Sequence, residues 1–222
     1  MHDDPFRDGP LELDLPLFPL GTVVFPGALL PLQIFELRYL QMVGACERQG
    51  TDFGVVTLTS GREVHRPGQE ERFEAIGTRM RLLQVERPQA GLLHIWCRAL
   101  DRFEVLIPQR RADGLWHGQV RMLEPEPAVP VPEHLCYLSR QMTHALERLG
   151  REALAPEPWP QPWQPDDCGW LSHRWGELLP LPAALKYRLF ALREPLLRLE
   201  LVGDMVSPEK PGQTASGKSS SP

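Results

Sequence analysis

Residues 15–43 read LPLFPLGTVVFPGALLPLQIFELRYLQMV, and the reading of this stretch decides the fold. Its first half consists of short apolar runs cut by Pro16, Pro19, Gly21, Pro26, Gly27 and Pro31. Proline presets φ and glycine tolerates positive φ, so these spacings predict tight turns between short buried strands. At Phe35–Glu36 the pattern becomes helical. Tyr39, Met42, Val43 and Cys46 repeat on one face, the stripe of an amphipathic helix. Glu36 is expected in its first turn, where free N–H groups and the helix dipole favour negative charge, and Gly50 near its end.

Downstream, Asp52–Thr59 (DFGVVTLT) is rich in β-branched residues and predicts a buried strand. Ser60–Gln69 predicts a loop. From Glu70 to Glu124 apolar and polar residues alternate, which puts one face in a core and the other toward solvent. Leu93, Ile95, Cys97 and Ala99 oppose His94, Trp96 and Arg98. Phe103, Val105 and Ile107 point one way, and Trp116, Gly118, Val120 and Met122 oppose His117, Gln119 and Arg121. The breaks at Pro88–Gly91 and Ala112–Gly114 predict hairpins, hence a largely antiparallel sheet or a partly closed barrel. Glu124–Pro132 (EPEPAVPVP) reads as a linker. Beyond it the period is helical: Leu135, Leu138, Met142, Ala145, Leu146 and Leu149 form one stripe, and Asp166 or Asp167 caps a helix bearing Leu171, Trp175 and Leu178. Pro182 and Pro195 stand where first helical residues belong.

These segments together carry a resemblance. LPLFPL…VVFPG…LPLQIFE resembles the opening of the Lon N-terminal (substrate-binding) domain family. IGTRMRLLQVE, GLLHIWCRALDRFEVL and GLWHGQVRMLE are similar to its barrel strands, and DDCGWLSHRWGELLPLPAALKYRLFALREPLLRLELV to its closing helices. The resemblance runs in order from Leu13 to Val202. It implies an α+β fold: a β-rich PUA-like pseudo-barrel with one early helix, then an all-α region. The expected division is a barrel over 11–127, helices over 131–205, and disordered termini at 1–10 and 207–222.

The composition narrows the function. A net charge of −5 on 222 residues argues against a general nucleic-acid binder, which needs a basic surface to neutralise phosphate. The four cysteines lack a CxxC pair, which suggests reduced, buried thiols in a cytoplasmic protein. The first residues show no apolar run like a signal peptide's, and no stretch approaches a membrane span.

Candidate chemistry is sparse. Residues 212–219, GQTASGKS, match GxxxxGK[ST] letter for letter. A phosphate loop needs a strand before it and a helix after it. The flanking SPEKP and SSP supply neither, so the match reads as chance. The seven histidines show no metal-ligand spacing and read as surface or partly buried. The adjacent carboxylates Glu70–Glu71 and Asp166–Asp167 read as loop solvation and helix capping. No catalytic residue, cofactor site or metal site is therefore expected.

What remains is binding. Trp159 and Trp163 alternate with prolines in PEPWPQPWQP, a segment that can present an extended surface to a partner. The plainer alternative is that both rings fold back over the helices. By resemblance, the function implied is non-catalytic recognition of polypeptides, as an adaptor or chaperone-like module for unfolded or degron-bearing chains. The ATPase and Ser–Lys parts of full Lon enzymes have no counterpart in the sequence. The alternative implied by a PUA-like barrel is RNA binding.

Overall fold

The computed structural model of the protein describes residues 12–61, 71–150 and 163–206. Six strands make one sheet: β1 (Glu12–Leu20), β2 (Leu29–Ile34), β3 (Phe53–Ser60), β4 (Arg72–Gln89), β5 (Leu92–Arg110) and β6 (Trp116–Met122). Their order is β2-β5-β4-β3-β1-β6, and β6 also pairs with the second half of β5. The sheet therefore closes into a ring of five strands with β2 attached to the first half of β5. All pairings are antiparallel except β1–β3, which is parallel. The early helix α1 (Leu37–Gln49) makes the crossover between that parallel pair. Four further helices follow: α2 (Cys136–Gly150), α3 (Cys168–Leu178), α4 (Ala183–Ala191) and α5 (Pro195–Val206). The fold is the expected α+β pseudo-barrel followed by helices.

The stripe on α1 is buried as the periodicity requires. Tyr39, Met42, Val43 and Cys46 pack with Phe18, Ile34, Phe53, Met80 and Ile95 in one core. Gly50 ends the helix at φ 64°, a left-handed conformation that glycine adopts without penalty. Glu36 stands one position earlier than expected. It is the N-cap, in extended conformation, and its carboxylate accepts a hydrogen bond from Arg38 Nε at 3.1 Å instead of capping the helix.

Leu92–Ala99 and Phe103–Ile107, expected as separate strands, are one strand of 19 residues. A register shift against β4 between Thr78 and Met80 bends the strand there without breaking it, as bulges do. The expected inward face holds for Ile95, Cys97, Ala99 and Phe103, but Ile107 is half exposed. Phe103 fills the ring interior with Leu15, Leu17, Val56 and Val120. Its side chain needs the space left by two glycines: a Cβ on Gly54 or Gly77 would lie 2.6 Å from Phe103 Cζ, and one on Gly77 also 2.5 Å from Val55 O. Because that last neighbour is backbone, Gly77→Ala should destabilise the protein by about 3 kcal/mol, the upper end of overpacking penalties. Urea unfolding measures it.

The segment expected as a linker is fastened in place. Val129 N–H donates to Asp167 Oδ2 at 2.9 Å, Cys168 N–H to Val129 O, and Val131 N–H to Asp166 O. Asp167 caps α3 as expected, accepting from Trp170 N–H at 2.8 Å. The stripe Leu135, Leu138, Met142 and Leu146 is buried against Leu171, Leu189, Leu199 and Val202. A smaller core joins the helices to the barrel: Val23 and Phe25 from the opening stretch pack on Phe190 of α4. The Phe25 ring lies 5.6 Å from that of Phe190, edge on, and 5.8 Å from that of His173. Gly176 of α3 admits it, since a Cβ there would sit 2.5 Å from Phe25 Cζ.

Candidate functional site

A cleft of about 500 Å³ opens where barrel, fastened segment and α3 meet. The barrel supplies Pro26, Gly27, Asp101 and Arg102; the fastened segment supplies Glu124–Ala128; α3 supplies Gly169, Trp170 and His173. Glu126 anchors its floor. Arg102 Nη2 donates to Glu126 Oε1 at 2.5 Å and Arg198 Nη1 to the same oxygen at 2.8 Å, while Arg198 Nη2 donates to Oε2. Arg198, with no exposed side-chain surface, also donates from Nε to Ser172 Oγ at 2.8 Å and from Nη1 to Leu192 O at 2.9 Å. Arg102 Nη1 donates to Leu192 O at 2.9 Å and to Phe190 O. One carboxylate thus binds a strand guanidinium and a helix guanidinium, and the two arginines share a carbonyl between α4 and α5.

The electrostatics follow from this wiring. Burial by itself would raise the Glu126 pKa, but His173 and Arg198 outweigh it and hold the carboxyl well below its usual range. His173 Nε2 stands 3.6 Å from Glu126 Oε1, too long for a hydrogen bond. Burial, reinforced by the charge of Arg198, pushes the His173 pKa down to about 3. At neutral pH the cleft therefore holds an ionised Glu126, charged arginines and a neutral, buried histidine with Nε2 unpartnered. Next to it, Arg174 is buried and donates from Nη2 to Pro26 O at 2.5 Å. Its Nη2 is 3.0 Å from Glu177 Oε1 without hydrogen-bond alignment. Burial wins over that weak contact and raises Glu177 to about 7.

These shifts fix a pH dependence. Below about pH 6.5 an unfolded chain protonates His173 whereas the folded protein does not. Native stability is therefore lost as pH falls from 6.5 toward 3, by about 2 kcal/mol at pH 5. Glu177 acts in the opposite sense: its contribution is complete below the ordinary carboxylate pKa and is lost as pH rises through about 7. The difference between His173→Gln and the parent protein isolates the histidine. The variant should lose less stability between pH 7 and pH 5, as read from urea midpoints at each pH.

Of the two tryptophans singled out in the sequence, Trp163 lies beside this cleft, about one-third exposed. Its ring packs on that of Trp170 with centroids 5.1 Å apart. Trp159 lies outside the described residues, as do the GQTASGKS match, Glu70 and most of the Ser60–Gln69 loop. Glu71 is buried, contrary to its reading as a solvated loop carboxylate. It accepts from Trp116 Nε1 at 2.7 Å and from Arg38 Nη2 at 3.3 Å, so an indole and a guanidinium claim it. His173 is likewise buried rather than at the surface.

Glu126, Arg102 and Arg198 were not singled out in the sequence, and His173 was considered only as a metal ligand and set aside. Arg198 carried a usable signal: it shares a helical face with Pro195, Leu199 and Val202, all buried, and a lone arginine on an apolar face implies a buried anion. Glu126 carried none, because an acid among prolines normally marks a solvated linker.

A family model described as the ATP-dependent protease La (LON) substrate-binding domain matches residues 14–207. Among solved structures, a Lon N-terminal domain protein from Xanthomonas campestris is 30% identical, with a TM-score of 0.66 over 86% of this chain and 98% of that one. The N-terminal domain of Mycobacterium avium complex Lon protease is 16% identical, with a TM-score of 0.56 over 86% and 97%. The comparison with curated proteins gives no match.

Proposed function

Since the chain belongs to the Lon substrate-binding domain family, we propose that it is a non-catalytic polypeptide-recognition module, binding unfolded or degron-bearing chains as an adaptor or chaperone-like protein in the cytoplasm. The observation that carries this reading is the family match over 14–207, which takes in both the barrel and the helices. In this reading 11–127 and 131–205 are two structural units locked by Phe25 and Glu126, and Trp159 and Trp163 contact the partner. The partial exposure of Trp163 beside Trp170 supports that role, since tryptophan rings are common anchors at interfaces.

The test is fluorescence anisotropy with fluorescein-labelled, reduced and alkylated lactalbumin, and with the same protein folded. Binding of the unfolded form alone is expected. A protein with both Trp159→Ala and Trp163→Ala should bind more weakly at an unchanged Tm. Equal affinity for folded and unfolded forms, or for neither, would reject the reading.

A further inference from the structure

A second concavity, of about 620 Å³ and sharing no lining residue with the first, runs beside the opening half of β1. β1 changes neighbour along its length. Leu17–Leu20 pair with β3 on one side, from Leu17 opposite Gly54 onward, while Glu12–Leu17 pair with β6 on the other. Among the described residues, 12–15 therefore have no strand on the β3 side. Across the gap stand the α1 residues Gln41, Ala45 and Gln49 and the turn Gly50–Asp52, which form the far wall.

The direction of the free backbone groups follows from a proline. Pro16 sits opposite His117 in the ladder to β6 and has no N–H to give. In an antiparallel ladder alternate residues turn both N–H and C=O toward the partner. The β6 bonds therefore fall on Leu13, Leu15 and Leu17, and Glu12, Asp14 and Pro16 turn outward. On that side the Leu17–Gly54 pairing of the parallel ladder takes up the Pro16 carbonyl, which accepts from Gly54 N–H because Leu17 is turned to β6, and among the described residues no strand is paired with 12–15 there. The groove thus presents the N–H and C=O groups of Glu12 and Asp14, an unfinished ladder that continues the β1–β3 pairing toward the start of the strand.

Its charged lining is balanced, with Arg38, Arg79 and Arg111 against Asp14, Asp52 and Asp113. Arg38 is also tied to Glu36, Glu71 and Gly114 O, and Arg79 to Asp52 and Asp101. Side-chain charge gives little basis for selecting a ligand here, whereas unpaired main-chain groups suit any extended peptide. We propose that this groove takes an extended segment of an unfolded polypeptide as an added strand on β1, bonded main chain to main chain. The proposal rests on the reading of the protein as a polypeptide-recognition module and names the surface and chemistry of that recognition. It predicts weak dependence on substrate sequence and charge, with proline-rich segments excluded because they lack N–H donors.

Two variants test it against the same labelled, unfolded lactalbumin. Asp14→Pro removes an outward N–H while leaving the β6 ladder on Leu13, Leu15 and Leu17. Ala45→Trp fills the groove from the α1 side. Each should weaken binding at least tenfold (roughly the loss of one or two good contacts) with little change in Tm. If the parent protein binds and both folded variants bind within twofold of it, the groove is not the site, while the recognition reading stands. If the parent protein does not bind, both fall.

Amide exchange on the parent protein decides the matter should either variant fail to fold. The Glu12 and Asp14 N–H groups should exchange fast alone and slowly with saturating unfolded lactalbumin. Slow exchange in the free protein would mean that the edge is already covered, and no change on binding would mean that it is not used. Either result overturns the proposal.

Discussion

Replacing Glu126 with glutamine should cost about 3–5 kcal/mol of folding stability, the range for breaking a buried ion pair from one side. The amide keeps the shape but removes the carboxylate charge bonded to both Arg102 and Arg198. Those side chains are 5% and 0% exposed, so neither charge can find water without opening the junction. Their remaining bonds go to carbonyls and to Ser172 Oγ, which accept hydrogen bonds but do not neutralise charge. Urea unfolding at pH 7 is the measurement. A loss under 1 kcal/mol would show that water already screens the cluster. The loss should shrink when Arg198→Met is added, because the deleted charge no longer needs its partner.

Phe25→Ala should be nearly as severe, about 3–5 kcal/mol for emptying a fully buried aromatic site. That corresponds to roughly 6–20 °C in Tm for a chain of this size. The ring is 0% exposed and rests on Phe190, His173 and Gly176. A second substitution makes the argument specific. Gly176→Ala alone puts a Cβ 2.5 Å from Phe25 Cζ and should also destabilise. In the Phe25→Ala background the same methyl enters the vacated space, and its effect should vanish or reverse sign. Additive losses in calorimetry would mean that the two residues do not share that space.

How much of this was legible in the sequence depends on the physics of each element. Strand and helix faces were readable because burial imposes a period: Tyr39, Met42, Val43 and Cys46 on α1, or Ile95, Cys97 and Ala99 on β5, record their own side of the core. Turns were readable because Gly50, Gly91 and Gly114 adopt positive φ. The junction was not. The Glu126–Arg198 contact spans 72 residues and Arg102–Phe190 spans 88, and local periodicity carries no trace of which distant charge will answer a buried one. The same limit hid Glu71, whose partners Arg38 and Trp116 lie on other elements. The continuity of β5 was missed for a local reason, since a bulge and a chain break look alike when the partner strand is unknown.

The ring is closed by its first and last strands. Glu12 faces Arg121, so while the chain is being made, β1 has to wait for about a hundred further residues before its opening half meets β6. Phe25 waits longer, until Gly176 and Phe190 have been made. During that interval, one of the most apolar stretches of the chain has no finished surface to cover it, the condition under which nascent chains associate wrongly. A protein read as a handler of unfolded polypeptides is, for that part of its own synthesis, an exposed one.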